Sequence, residues 1–274
     1  MTGSALIIAV VLMSLALSIV MAVAWVAQQR TGNSGWVDTA WTFGLAAVGI
    51  AAAMSPLASG PSEQRQMLVA VFLAAWAARL GGHIAVRTMH ITDDPRYAAL
   101  IRGWGADGRR QMFWLLQKQA LVSIPLATSV FLAAHNPSLA WRLQDWLAVV
   151  VMLVSLSGEA MADWQLRRFA RDGNGRAKVC DVGLWRYSRH PNYFFEWLGW
   201  TAYPLLAIDF SGGYAFGYLA LAGPVCIYWL LVHVSGIPPL EEHMLASRGD
   251  AYRAYQGRTN AFFPGAPRLI GSAA

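Results

Sequence analysis

The sequence is short of charged residues. Asp, Glu, Lys and Arg make up 13% of its 274 residues, whereas soluble domains carry about 25%. Hydrophobic residues make up 56%, 13 residues are tryptophan, and the mean hydropathy is +0.39. This composition excludes an ordinary soluble domain and indicates a membrane protein in which apolar helices account for most of the length.

Cysteine and histidine are also scarce. Cys180 lies in a basic loop and Cys226 in an apolar run, without CxxC or zinc spacing, so neither a disulfide framework nor a structural metal site is predicted. The six histidines include His83 and His90 on one predicted helix face, but no HxxxH or HxxHH motif. Di-iron membrane enzymes need several such motifs, and we therefore expect no metal centre.

The apolar segments predict an all-α integral membrane protein with seven transmembrane helices. Each segment approaches the roughly 20 residues that cross about 30 Å of hydrocarbon at about 1.5 Å per residue. The sixth is the shortest and most interrupted. We expect one multi-pass membrane domain over residues 1–274, because no internal repeat or strand pattern divides it. The predicted spans are residues 4–27, 37–57, 66–90, 112–134, 143–168, 193–210 and 213–236.

The basic residues are distributed unevenly between the predicted loops. A net charge of +6 and a pI of 9.6 could suit nucleic acid, but in a membrane protein they are typical of cytoplasmic loops. Seven spans place 19 of the 21 Lys and Arg residues on the side of the C-terminus and leave Arg65 and Arg142 opposite. The predicted orientation has the N-terminus outside and the C-terminus in the cytoplasm, across the inner membrane if the source is bacterial, and no nucleic-acid partner is expected.

The polar loops 91–111 and 169–192 and the tail after Gly236 all fall on this cytoplasmic side. The tail begins with Pro238-Pro239, contains Tyr252 and Tyr255, and includes a Phe-Phe-Pro sequence at 262–264. Such an aromatic composition is unusual for a disordered terminus. We expect ordered cytoplasmic loops and a C-terminal segment that caps the cytoplasmic end of the bundle.

One stretch, Gly183–Trp200, joins a basic loop to an apolar segment. Arg186, Arg189 and His190 precede a proline, and Glu196 follows inside the predicted sixth span. A carboxyl group inside an apolar span is costly and usually functional. Glu196 either reaches the interface or pairs with Arg189, or its buried carboxyl stays protonated and donates a hydrogen bond to a substrate oxygen.

Two further polar groups have both a structural and a functional interpretation. Asp163 and Arg167 are four residues apart at the end of the fifth span, which suits a helix ion pair or contacts to the ribose hydroxyls and phosphates of a ligand. Asp38, close to Trp41, begins the second span. It is either a first-turn acid favoured by the helix dipole or a second polar group in the same pocket as Glu196.

The sequence Arg-His-Pro-Asn-Tyr-x-x-Glu at 189–196 resembles the steroid 5-alpha-reductase family, and most of all its bacterial membrane branch. The resemblance is good over the C-terminal half and loose over the N-terminal half, so the site is expected mainly within residues 150–264. Phe195 departs from the pattern, because the family usually has glycine there. Further matches are Asp-x-x-Trp at 38–41, Asp-x-Gln-Leu at 163–166, Ser-Gly-Ile-Pro at 235–238 and Tyr-x-x-Tyr at 252–255.

The resemblance implies a monomeric, seven-helix, NADPH-dependent reductase of the 4,5 double bond of a 3-oxo-4-ene steroid or similar lipophilic enone that enters from the bilayer. Negative charge develops on the carbonyl oxygen when hydride reaches the β carbon, so a donor there stabilises the enolate. The implied catalytic residues are Glu196 as this donor and Asp38, with Trp41 and Tyr193 beside the substrate. The implied cofactor residues are Asp163, Arg167, Lys178, Arg186, Tyr187, Arg189, His190, Asn192, Glu242, Tyr252, Arg253 and Tyr255.

Two other functions are compatible with the same residues. Membrane methyltransferases of the isoprenylcysteine carboxyl type share a shorter form of the motif and use S-adenosylmethionine, which also suits a basic rim above an apolar pocket. The abundance of arginine favours the 2′-phosphate of NADPH, and these methyltransferases generally lack the glutamate. A transporter is the third alternative, but the sequence has neither symmetric halves nor midplane-broken helices.

Overall fold

The computed structural model describes residues 1–57, 62–172 and 178–268 of the chain. These residues form helices joined by short loops, and none of them is in a β-strand. The helices are α1 (Gly3–Thr31), α2 (Gly35–Ala53), α3 (Glu63–Met89), α4 (Pro95–Trp104), α5 (Gly108–Ala134), α6 (Leu143–Arg171), α7 (Pro191–Trp200), α8 (Ala202–Ala207), α9 (Ala222–Trp229), α10 (Ile237–Arg248) and α11 (Asp250–Arg258).

Local sequence explains where several helices begin and end. The Asp94 carboxylate accepts a hydrogen bond from the backbone N–H of Arg96 at 3.0 Å and caps α4, with Pro95 at its first position. Gly32 ends α1 in the left-handed region at φ 68°, and its N–H donates to the carbonyl oxygen of Gln28 at 2.9 Å. Glycine is favoured there because other residues are strained at positive φ.

The chain divides into two compact units. The first comprises Met1–Trp146 and Tyr203–Gly223, and the second comprises Leu147–Ala202 and Pro224–Ala274. In the first unit, α1, α2, α3 and α5 pack on one another. Their close approach depends on small residues, because a Cβ added at Gly44 would lie 2.2 Å from the side chain of Val20, and one at Gly49 would lie 2.4 Å from that of Leu73.

The first unit also contains a buried cluster of charges. The Asp145 carboxylate, which is 1% exposed, accepts hydrogen bonds from Nη1 of Arg65 at 2.6 Å and Nη2 of Arg142 at 2.8 Å. Arg142 Nη2 also donates to the carbonyl oxygen of Leu206 at 2.7 Å. Arg65 and Arg142 are the two basic residues that the charge distribution left on the outer side, and here both bind one carboxylate. Their role in this unit is structural.

In the second unit, α6 and α7 are in close contact. The Ser155 hydroxyl donates to the carbonyl oxygen of Phe195 at 2.7 Å, and a Cβ added at Gly199 would lie 2.5 Å from Oγ of Ser155. A Cβ added at Gly158 would lie 2.4 Å from the ring of Phe195. The large side chain at 195, where the resembling family usually has glycine, is therefore accommodated by a glycine on the neighbouring helix.

Among the described residues, six helical segments are long and apolar enough to cross a bilayer. They correspond to six of the seven predicted spans and support a multi-pass membrane protein. Because the orientation with the termini on opposite sides depends on an odd number of spans, it is not confirmed. The six segments are Gly3–Thr31, Gly35–Ala53, Glu63–Met89, Pro95–Ala134, Leu143–Arg171 and Ala215–Arg248.

The span predicted at 193–210 is not confirmed, because the chain there forms α7, of 10 residues, and α8, of 6 residues. Pro204 explains the break between them: it has no N–H to bond the carbonyl oxygen of Trp200, and its ring would clash with that oxygen in a continuous helix. At about 1.5 Å per residue, α7 is about 15 Å long, roughly half the hydrocarbon thickness.

Candidate active site

The turn that precedes the motif is anchored on the end of α6. Gly183 has φ +58°, and a Cβ there would lie 2.5 Å from the amide group of Gln165, so only glycine fits. Gln165 Oε1 accepts the backbone N–H of Leu184 at 2.9 Å, and the Trp185 indole N–H donates to the carbonyl oxygen of Ala162 at 2.9 Å. The Asp-x-Gln-Leu and Gly-Leu-Trp patterns therefore belong to one local structure.

The C-terminal tail packs over the same turn. The buried Tyr255 hydroxyl donates to the carbonyl oxygen of Trp185. The Ser188 hydroxyl donates to the carbonyl oxygen of Phe262 at 2.8 Å. Burial raises the pKa of the Tyr255 hydroxyl, which keeps it a neutral donor. Tyr255, predicted to lie near a cofactor, thus holds the tail against the turn.

A network of four side chains, Arg189, His190, Glu241 and Gln256, joins the motif to α10 and α11, and we call it the Glu241 network. The Glu241 carboxylate accepts from Arg189 Nε at 2.7 Å and Nη2 at 3.1 Å, from His190 Nε2 at 2.9 Å and from Gln256 Nε2 at 2.7 Å. The side chains of Arg189 and Glu241 are 11% and 13% exposed. Arg189 Nη1 also donates to the carbonyl oxygen of Thr259 at 2.6 Å.

His190 is almost fully enclosed, at 2% exposure. Its ring stacks on Tyr193 with the ring centroids 5.5 Å apart and an angle of 12° between the planes. Its Nδ1 is buried and has no hydrogen-bond partner among the described residues. Burial lowers the pKa of His190, and the charge of Arg189 acts in the same direction, against the raising effect of Glu241. The imidazole is therefore held in its neutral form.

Glu196 lies on α7, one helical turn after Asn192. Its side chain is buried, at 7% residue exposure, and its Oε1 accepts the indole N–H of Trp200 at 2.9 Å. The Asn192 Nδ2 is 3.5 Å from Oδ1 of Asp163 on α6. The structure thus brings together three of the residues predicted for the site, although the Asn192–Asp163 contact is at the long end for a hydrogen bond.

Two open clefts flank the turn at Val182. One, of about 360 Å³, is bordered by Arg186 and Arg258, and the other, of about 370 Å³, by Trp164 and Phe169. Arg258 pairs with Asp181 in the first cleft. Arg186 is exposed and has no ion-pair partner in the described part of the chain. The first cleft therefore offers a cationic group to an anionic ligand.

The other tail residues predicted to bind a cofactor lie at different depths. Tyr252 is buried, and burial together with the neighbouring Glu241 carboxylate raises the pKa of its hydroxyl. Arg253 is on the surface and pairs with Asp250 at 2.9 Å. Glu242 is exposed, and among the described residues its side chain makes no hydrogen bond or ion pair with the Glu241 network. The network uses the carboxylate next to the one that the sequence singled out.

Three remaining cofactor candidates lie near the turn. Tyr187 is exposed, and its carbonyl oxygen accepts the backbone N–H of Gly265 at 3.0 Å. The carbonyl oxygen of Lys178 accepts from Nε of Arg248 at 3.0 Å. Arg167 lies on the exposed side of α6. Across the described residues, no three His, Cys, Asp or Glu side chains are grouped in a way that could hold a metal ion.

Asp38 belongs to a hydrogen-bonded cluster inside the first unit. It lies in the first turn of α2, as one of its two interpretations required. Its Oδ1 accepts the Tyr97 hydroxyl at 2.7 Å and its Oδ2 accepts Nη2 of Arg96 at 2.5 Å. The Tyr97 oxygen accepts Nε2 of Gln119 at 2.9 Å, and Arg96 also binds Asp94 at 2.9 Å. Asp38 therefore anchors a hydrogen-bonded group of side chains from α2, α4 and α5.

Two buried polar atoms on α2 and α5 lack partners. They are Oγ1 of Thr39 and Oε1 of Gln119, each without a hydrogen bond to any described residue. Trp41, predicted beside the substrate, donates its indole N–H to the Ser123 hydroxyl at 2.8 Å. Buried polar groups are normally hydrogen-bonded. The Gln119 oxygen, whose amide nitrogen bonds Tyr97, is therefore a point at which water or a ligand would complete the cluster.

Comparison with known proteins identifies the family of the chain. The family described as "Protein of unknown function (DUF1295)" matches residues 24–259, which is most of the chain. The chain belongs to this family. The family includes proteins similar to steroid 5-alpha-reductases. An uncharacterized protein of Schizosaccharomyces pombe (strain 972) is 27% identical over 289 residues, covering 91% of this chain and 77% of the yeast protein. No solved structure matches the chain significantly.

The sequence interpretation missed Glu241, Gln256, Tyr97 and Gln119. Glu241 directly precedes a second glutamate, so composition alone could not decide which of them faces the motif. Tyr97 lies in a segment that was predicted to be a loop and is the amphipathic helix α4. The amphipathic pattern of that segment could have indicated that Tyr97 faces the protein interior. Contacts between α10 and the turn at 183–190 join residues far apart in sequence, and no spacing rule predicts them.

Proposed function

We propose that the protein is an NADPH-dependent membrane reductase that reduces the carbon–carbon double bond of a 3-oxo-4-ene steroid or a similar lipophilic enone. The observation that carries the proposal is the division of the Arg-His-Pro-Asn-Tyr-x-x-Glu motif into two parts. Arg189 and His190 are fixed to the tail by Glu241, while Asn192 and the buried Glu196 project from α7. Precise placement of two reactants requires polar side chains such as Asn192 and Glu196 to be held by neighbours that are themselves fixed.

The residues near the turn fit a dinucleotide with several phosphates. Arg186 and Arg258 border an open cleft of about 360 Å³ and can provide charge-assisted hydrogen bonds to phosphate oxygens. Asp163 and Asn192 can bind neutral hydroxyl and amide groups. When bound, NADPH would supply the hydride. We assign Arg189, which is already engaged by Glu241 and Thr259, to positioning the motif.

Glu196 is the proposed donor to the carbonyl oxygen of the enone. A carboxyl group removed from water is favoured in its protonated form, in which it can donate a hydrogen bond to the developing enolate. The indole N–H of Trp200 fixes the orientation of Oε1.

We also propose how the protein is oriented in the membrane and from which side each ligand binds. The substrate would enter from the bilayer into a monomeric protein, and the cofactor would bind from the cytoplasm, across the inner membrane if the source is bacterial. Supporting this orientation, Arg186 and Arg258, together with most other basic residues, fall in loops that the positive-inside rule assigns to the cytoplasm. The alternative remains an S-adenosylmethionine-dependent methyltransferase, since a cationic cleft near an apolar helix would also suit that cofactor.

Binding of NADPH and of S-adenosylmethionine to the purified protein in detergent tests the proposal. We expect NADPH to bind and Arg186→Ala to weaken binding about 10- to 100-fold, as for the loss of one charge-assisted hydrogen bond. Arg30→Ala, which removes an exposed charge at the end of α1, is the control and should bind normally. Turnover of a 4-ene-3-one steroid should be lost in Glu196→Gln with NADPH binding retained.

The possible results separate the alternatives. Binding of S-adenosylmethionine without NADPH would replace the reductase by a methyltransferase. NADPH binding with full steroid turnover in Glu196→Gln would refute Glu196 as the donor and leave the reductase proposal in place. Binding of neither nucleotide would refute both enzymatic proposals and favour transport.

A further inference from the structure

The hydrogen bonds of Glu241 determine which nitrogen of His190 carries the proton. Donors face both oxygens of this carboxyl group: Arg189 Nε and His190 Nε2 on Oε1, and Arg189 Nη2 and Gln256 Nε2 on Oε2. A proton on either oxygen would oppose a donor, so Glu241 is ionised and can only accept. His190 therefore donates from Nε2–H. In a neutral imidazole the other nitrogen, Nδ1, then carries a lone pair and no hydrogen.

The protein leaves this lone pair unused. Nδ1 of His190 is buried, and no described residue offers it a donor. Protonation of Nδ1 does not remove the unpaired acceptor, because burial and the nearby Arg189 lower the pKa of His190. An N–H at Nδ1 would in any case lack an acceptor. A buried acceptor without a partner is unfavourable and unusual in folded proteins, so a group from outside the described chain is expected to fill it.

We propose that Nδ1 of His190 accepts a hydrogen bond from a hydroxyl or amide N–H group of a bound nucleotide. The inference rests on the proposed function for the identity of that nucleotide as NADPH, which carries both ribose hydroxyls and a carboxamide. The position is consistent with a binding role, because His190 directly precedes α7, the helix that carries Asn192 and Glu196, and its ring stacks on Tyr193. Because the neutral Nδ1 can only accept, it would bind a hydroxyl or amide N–H group of the ligand, whereas cationic groups such as Arg186 would bind its phosphates.

The test uses a substitution that separates the two nitrogens of the ring. In His190→Gln the side-chain amide can still donate to Glu241, as Nε2–H does, but it places no acceptor where Nδ1 was. We expect about three- to tenfold weaker binding of NADP⁺, the range for one lost hydrogen bond. His243→Gln is the matched control, because His243 is exposed on the same helix as Glu241 and should bind NADP⁺ normally.

The donor group is identified with a cofactor analogue. Acetylpyridine adenine dinucleotide phosphate has a methyl ketone in place of the carboxamide and so lacks the amide N–H. If the carboxamide is the donor, wild-type protein binds the analogue more weakly than NADP⁺, and His190→Gln binds both equally. If a ribose hydroxyl is the donor, the loss caused by His190→Gln is the same for both. Either result supports the proposal.

Nitrogen NMR of the His190 ring in the wild-type protein tests the inference without any substituted protein, which could fail to fold. The resonance of the unprotonated Nδ1 is expected to shift when it accepts a hydrogen bond from added NADP⁺. An unchanged Nδ1 resonance, or His190→Gln with the affinity of wild type, would overturn the inference while leaving the reductase proposal in place. If only S-adenosylmethionine binds, the reductase proposal fails, and the same comparison with that ligand's ribose hydroxyls decides the inference. Binding of neither overturns both.

Discussion

Replacing Glu241 by glutamine should destabilise the protein more than any other single change of one carboxyl group in the tail. The carboxylate accepts four hydrogen bonds, two of them from Arg189. The substitution keeps the size of the side chain and removes its charge, which leaves the guanidinium, 11% exposed, without a counter-charge. The loss therefore arises from electrostatics and hydrogen bonding and not from a cavity.

The magnitude follows from the burial of the pair. Hydrogen bonds to charged groups contribute about 1.5–3 kcal/mol each, but they are not additive within one network. Removing one partner of a buried ion pair costs about 3–5 kcal/mol, and we expect a loss in this range for Glu241→Gln. At about 2 °C per kcal/mol for a chain of this size, the midpoint of thermal unfolding should fall by about 6–10 °C.

Thermal unfolding in detergent, followed by circular dichroism, is the assay. Glu242→Gln removes the same charge from the neighbouring, exposed position of α10 and should change stability by less than about 0.5 kcal/mol. The double variant Arg189→Gln with Glu241→Gln should lose less than the sum of the single variants, because each single variant leaves one unpaired buried charge and the double variant leaves none. Equal stability of Glu241→Gln and Glu242→Gln would refute the assignment of Glu241 to the centre of the network.

Three further outcomes are expected. Gly158→Ala should lower stability by about 1–3 kcal/mol in thermal unfolding, because its Cβ would lie 2.4 Å from the ring of Phe195, and Phe195→Gly should restore part of the loss. Asp145→Asn should lower the thermal midpoint by leaving Arg65, 5% exposed, without its counter-charge, an effect that added salt should barely alter because the pair is buried. Burial lowers the pKa of His190 in the folded protein, so the unfolded chain takes up a proton first as the pH falls. Below pH 6.5, His190 should therefore reduce the free energy of unfolding by at most about 1.4 kcal/mol per pH unit. The same pH series with His190→Gln should lack this loss.

Much of the helical architecture could be predicted from composition and local pattern. Long apolar runs must form helices in a bilayer, because each backbone N–H and C=O there has to be satisfied within its own segment. Six of the predicted spans correspond to long apolar helices for this reason. The span at 193–210 was predicted by apolarity, whereas Pro204, a local and recognisable helix breaker, accounts for the division into α7 and α8.

The candidate site was located by its motif but not assigned in detail. The family resemblance implied a binding role for Arg189 and a catalytic role for Glu196. The sequence could not indicate that Arg189 is engaged by Glu241, because a guanidinium beside an apolar span suits a phosphate and a carboxylate equally well. The partner is set by which face of α10 turns towards the motif. That choice separates Glu241 from Glu242, two chemically identical neighbours.

The sequence by itself determined that this is an α-helical membrane protein with an acid and several bases in one short stretch, because apolar composition and chain-local patterns are sufficient to specify helices in lipid. The tertiary structure alone decided how those groups are used: Glu241 binds Arg189 and His190, Gly158 makes room for Phe195, and Asp38 meets Tyr97. These pairings join residues tens of positions apart, and they depend on packing between helices, which no local pattern in the chain encodes.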